Sequence, residues 1–101
     1  MTVMVELNVI PLGVGISISK FLAPALRTLE DLGVKYEITP MCTIFKAKNV
    51  KEAFGIVEAA HEALFKKGVK RVVTSVKIDD RRDVKRSMEE KVESLKKMIK
   101  R

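Results

Sequence analysis

The residues of this chain that could do chemistry are few and scattered. Its single histidine, His61, has no second histidine or cysteine at a metal-ligand spacing, and it falls among apolar residues at helical intervals, where a packing role is the plain reading. Its single cysteine, Cys42, follows the break at Pro40 with no base nearby in sequence, so it reads as a small hydrophobe before it reads as a reactive thiol. Residues 10–19 (IPLGVGISIS) set Gly13, Gly15, Ser17 and Ser19 ahead of a helix start, where unpaired N–H groups and the helix dipole can hold a carbonyl or an anion. Without a dinucleotide fingerprint or a phosphate-loop lysine, that segment is equally an ordinary turn and cap. The run Asp79-Asp80-Arg81-Arg82-Asp83 offers guanidinium forks for a phosphate or an interface, against the simpler reading of helix capping with internal salt bridges. No Ser-His-Asp, Cys-His or paired-carboxylate set assembles from these residues, so no catalytic residue, metal site or cofactor is assigned and the chain is expected not to be an enzyme.

The elements that must position these groups follow from hydrophobic periodicity. Residues 2–10 alternate, with Val3, Val5, Leu7 and Val9 on one side, which predicts a first strand ended by Pro11, Gly13 and Gly15. Ser17 or Ser19 is the expected cap of a first helix, whose Leu22, Leu26, Leu29 and Leu32 form a stripe and which Gly33 closes. Pro24 belongs in the first turn of that helix, or else the turn is distorted. A short second strand over residues 35–38 is demoted toward an edge by Pro40, and residues 43–47 give a third strand. Asn49 and Glu52 form a variant capping box for a second helix with Val50, Phe54, Val57, His61 and Leu64 along it, ended by Gly68. Residues 70–78 give a fourth strand, and Asp79, Asp80 or Asp83 caps a last helix with a narrow stripe of Val84, Met88, Val92, Leu95 and Ile99.

An internal repeat organises these pieces. Leu29-Glu-Asp-Leu-Gly33-Val34-Lys35 returns 35 residues later as Leu64-Phe-Lys-Lys-Gly68-Val69-Lys70. Two copies suit an α+β domain of the ferredoxin-like βαββαβ type, spanning 1–101 with an added C-terminal helix, in which both crossover helices cover one face of a four-stranded sheet. The other face then needs covering, so a homo-oligomer is expected, with Ile10 and Val73 among the residues it would bury.

Composition narrows the partners. The net charge of +7 sits almost wholly in residues 70–101, which hold 12 Lys+Arg against 6 Asp+Glu, and there the signs alternate as on a solvated helix face. Five Phe and Tyr residues in all supply poor stacking platforms, so nucleic acid is not the expected partner on this reading. One unpaired cysteine suits a reducing compartment, and no stretch resembles a signal peptide or a membrane span, which places the chain in the cytoplasm without a membrane partner.

Taken together, Ile10-Pro11-Leu12-Gly13 with Ser17 and Ser19, Leu29 to Gly33, Pro40-Met41-Cys42-Thr43, His61-Glu62, and Arg71 through Asp83 resemble the small thiamine-binding-protein family over essentially the whole chain. The resemblance implies a ferredoxin-like fold, subunits paired through their sheets into dimers or tetramers, and binding of thiamine or its pyrimidine portion without chemistry on it. Carried over residue by residue, it implies Ser17, Ser19 and Thr43 as pocket residues. The chain departs from the family pattern at Cys42, at Val14 and Ile16, and at Lys46, which stands where the family usually carries an acid. If position 46 faces the ligand, the local charge changes by two units, so Lys46 becomes a candidate partner for a carboxylate or phosphate and the ligand a related heteroaromatic or anionic metabolite. The reading is a small-molecule-binding oligomer with pockets near subunit interfaces. Its rivals are an RNA-binding protein using the basic last third, an oligomer without a ligand, and an enzyme using Cys42.

Overall fold

The structure is a computed structural model that describes residues 2–15, 18–83 and 88–100. β1 (Val3–Leu12) alternates as its sequence dictates, with Val3, Val5 and Leu7 buried, and β3 (Thr43–Ala47) and β4 (Arg71–Asp79) pair antiparallel on either side of it. β2 (Tyr36–Ile38) pairs with β3, giving the order β2-β3-β1-β4. That order is the ferredoxin-like one, in which each crossover passes over one intervening strand. α1 (Ser19–Asp31) and α2 (Val50–Phe65) share one face of the sheet, where Ala25 and Leu29 join Ala53, Ile56, Val57, Ala60 and Leu64 in a common core with Val5, Leu7 and Phe45.

The repeat has a concrete meaning at the helix ends. After α1 the amide of Val34 donates to the Leu29 carbonyl and the amide of Gly33 to that of Glu30, both at 2.9 Å. After α2 the amide of Val69 donates to the Leu64 carbonyl at 3.4 Å and that of Gly68 to Phe65 at 3.0 Å. These are two Schellman closures, and both need a residue with φ > 0, supplied by Gly33 at 74° and Gly68 at 89°. The leucine that opens each closure is sealed in the core, Leu29 at 1% and Leu64 at 0% exposure.

Several expectations are corrected. β1 does not stop at Pro11 but runs through it to Leu12, because β3 leaves β1 after Leu7 and the missing N–H then costs no bond on that side. The cap of α1 is Ile18, which makes no side-chain cap bond; Ser19 is the first helical residue, and Ser17 lies outside the described residues. Pro24 sits inside α1, beyond the first turn, where the Thr28 hydroxyl donates to its carbonyl at 2.9 Å. Asn49 caps α2 as expected, its side-chain oxygen accepting from the Glu52 amide at 2.8 Å. The buried side of α2 holds the expected Val57 and Leu64 together with Ala53, Ile56, Ala60 and Ala63, whereas Phe54 turns outward and stands 53% exposed.

α3 (Met88–Ile99) follows β4; Val84, expected in its stripe, lies outside the described residues. Lys91 pairs with Asp79, yet Val92, Leu95, Met98 and Ile99 all remain exposed. The Cα radius of gyration of 15.2 Å exceeds the roughly 13 Å of a compact chain of this length. On the face of the sheet away from α1 and α2, Ile10, Leu12 and Val73 are exposed as well.

Candidate functional site

β1 has ten residues and β3 five, so β1 outruns its neighbour. Beyond the pair Leu7↔Thr43, its next residues bond only to β4, and the β2-β3 connection curves past the space left on the other side. α1 roofs that space with Leu22, Ala25, Leu26 and Leu29, whose spacings of three and four put them on one side of the helix. The result is a cavity of about 300 Å³, floored by Leu7 and Val9 and bounded by residues 38–43. Ile38, Thr43 and Leu7 lie opposite one another across three strands and form one row of its floor.

The β2-β3 connection is held by Thr39. Its hydroxyl accepts from the amides of Cys42 at 3.0 Å and Met41 at 3.2 Å and donates to the Cys42 carbonyl at 3.0 Å, while its own amide donates to the same carbonyl at 2.9 Å. This local network is why a threonine and not an apolar residue stands there. The Cys42 thiol lies 3.4 Å from that hydroxyl and lines the cavity. Thr43 is half-buried, and its hydroxyl has no hydrogen-bond partner among the described residues, so it retains a donor and an acceptor for a ligand.

The residues predicted as a site are not gathered in one place. Thr43 lines the cavity, and Ser19 is exposed on the first turn of α1 beside Ile18, which lines it. Lys46 lies on the opposite face of the sheet, with its ammonium 3.6 Å from Glu89 of α3 and its side chain 40% exposed. It therefore cannot meet an anionic group in this cavity. His61 hydrogen-bonds the Thr74 hydroxyl through Nδ1 at 2.6 Å and meets Phe65 edge-on at 5.3 Å, on the β4 side of the sheet and away from Cys42. Among the described residues no group of His, Cys, Asp and Glu is placed to hold a metal ion.

The arginine-rich run neutralises itself. Arg81 forks onto Asp83 at 2.7 and 3.2 Å, and Arg82 onto Asp80 at 2.8 and 3.2 Å. The hydrogen bond from Arg82 holds the Asp80 carboxyl below its usual value, and the same two forks raise both guanidinium groups. Sequence reasoning missed Thr39 and the inward side of the leucine stripe. The first was signalled by a threonine before proline in a short connection, and the second carried no signal that set it apart from ordinary core.

Comparison with known proteins gives a consistent picture. A family model described as thiamine-binding protein matches residues 5–96. A UPF0045 protein of Methanothermobacter thermautotrophicus is 47% identical over 95 residues, covering 93% of this chain and 96% of its own. The UPF0045 protein YqgV of Bacillus subtilis is 37% identical over 99 residues, covering 93% and 94%. The crystal structure of a hypothetical protein of Methanocaldococcus jannaschii superposes with a TM-score of 0.84 at 32% identity, covering 94% of this chain and 96% of that one.

Proposed function

The chain belongs to the thiamine-binding protein family, and from that premise we propose that it binds a small heteroaromatic metabolite, without transforming it, in the cavity between β1, α1 and the β2-β3 connection. The observation that carries this reading is the cavity itself, an apolar space of about 300 Å³ with the uncommitted hydroxyl of Thr43 in its wall. Apolar walls with a few placed polar groups are what small-molecule sites use to combine affinity with orientation. Support for a binding role over a catalytic one comes from the separation of the two reactive side chains: His61 is engaged by Thr74 beside β4, and Cys42 stands near the other edge of the sheet.

The protein works as a homo-oligomer in this reading. Ile10, Leu12 and Val73 on the sheet face away from α1 and α2, with Val92, Leu95 and Ile99 of α3, provide apolar surface that a second copy would remove from water. A cytoplasmic location fits the lone thiol of Cys42, and no described helix is long and apolar enough to cross a membrane.

Native mass spectrometry of the purified protein tests both parts, since one spectrum gives subunit count and any retained small molecule. Isothermal titration with thiamine and its pyrimidine alcohol follows. Replacing Leu26 by tryptophan should fill the cavity from its half-buried wall and abolish binding with little change in melting temperature. Unchanged binding in that variant would remove the cavity from consideration, and a monomer at micromolar concentration would remove the oligomer.

A further inference from the structure

We propose that this cavity selects for an uncharged ring, so that the protein prefers a neutral heteroaromatic ligand to one that brings a cationic ring or a phosphate into the same space. This rests on the cavity being the ligand seat. The starting observation is the chemistry of its walls: among the described residues that line it there is no Asp, Glu, Lys, Arg or His. The polar residues in its lining are Asn8, Thr39, Cys42 and Thr43; Asn8 alternates with Leu7 and Val9 along β1, which turns its side chain to the other face of the sheet, and the Thr39 hydroxyl is already taken up by the connection it braces.

Charged groups nearby are committed elsewhere or face away. Lys46 sits across the sheet at 3.6 Å from Glu89, and Glu37, opposite Ile44 in the β2-β3 register, is on that same far face. On α1, Glu30 accepts the Tyr36 hydroxyl at 2.6 Å, and the Lys20 ammonium rests 5.2 Å from the centre of the Phe21 ring. A ligand charge entering the cavity would give up hydration and meet no counter-ion, whereas a neutral ring gives up little and gains apolar contact. The Thr43 hydroxyl can donate to a ring nitrogen or accept from an exocyclic amine, which supplies orientation without charge.

Thiamine joins a neutral aminopyrimidine to a permanently cationic thiazolium, so it provides its own control. Isothermal titration of the full-length protein in its native oligomer would compare thiamine with 3-deazathiamine, in which a neutral thiophene replaces the thiazolium at nearly unchanged shape. The neutral analogue should bind at least about tenfold more tightly, and T43D should reverse the order by supplying a carboxylate. The wild-type ratio decides the matter even if that variant folds poorly. If thiamine binds as tightly as its analogue or more so, and L26W weakens both, charge selection is overturned while the cavity remains the seat. If neither compound binds the wild type, or L26W changes neither affinity, the seat itself is wrong and charge selection falls with it.

Discussion

In the β3-α2-β4 half, the helix opens on the Asn49 cap, turns fully buried Ala53 and Ala60 inward, and feeds a nine-residue strand. In the β1-α1-β2 half, the helix opens on Ile18 without a side-chain cap, carries Pro24 in its body, and feeds a three-residue edge strand. Both halves nevertheless close with the same Schellman geometry at Gly33 and Gly68. The duplication thus governs how each helix ends, while the strands beneath differ. α2 buries Ala53 and Ala60 fully with Leu64, and α1 roofs an open space with its leucines where β1 outruns β3. The half with weaker local signals is the one that keeps room for a ligand.

The sharpest way to break this contrast is to truncate the two matching leucines. L64A should cost about 4 kcal/mol, whereas L29A, which borders space that is already empty, should cost nearer 2 kcal/mol. Equal losses in urea unfolding would mean that α1 packs as tightly as α2. Next in size are G33A and G68A, which force a Cβ into the left-handed region with no close neighbour to add a clash. Each should lose about 1–2 kcal/mol, and to similar extents, since the closures are alike; a large inequality would show that they are not equivalent.

A smaller contrast concerns the helix starts. N49A should lose about 1 kcal/mol through its cap, and S19A should stay within about 0.5 kcal/mol, because Ser19 caps nothing. A large effect at Ser19 would assign it a bond absent from the described contacts. The least perturbing test uses Tyr36, the one tyrosine in a chain without tryptophan. Its hydrogen bond to Glu30 raises the phenol above the usual tyrosine value. The folded state holds that proton more tightly, so the contact contributes fully below the unfolded pKa and is lost as pH rises through the folded one. Ultraviolet titration of E30A should bring phenolate formation down toward about pH 10.

These halves were unequally legible in the sequence. Both glycine closures and the Asn49 cap follow from patterns of a few adjacent residues, the ferredoxin-like succession follows from the repeat, and the structure has them where the sequence put them. The face of α2 was harder to read, because Phe54 outweighs alanine in any hydrophobic stripe although Ala53 and Ala60 are fully buried and Phe54 is not. The cavity depends on a length mismatch between two strands far apart in the chain, and no local pattern reports that. Lys46 is a different case. It lies three residues from Thr43 within one strand, and an odd separation places two side chains on opposite faces, so simple parity already set it apart from the pocket.

Pro24 has no amide hydrogen, so the Lys20 carbonyl one turn earlier lacks its regular helical donor. Fewer bonds therefore tie the opening turn of α1, with Ile18 at the lip of the cavity, to the segment from Ala25 onward that is anchored in the core. That opening turn is thus the part of α1 held by the fewest backbone hydrogen bonds, and it stands beside the cavity while the rest of the helix is fixed in the core.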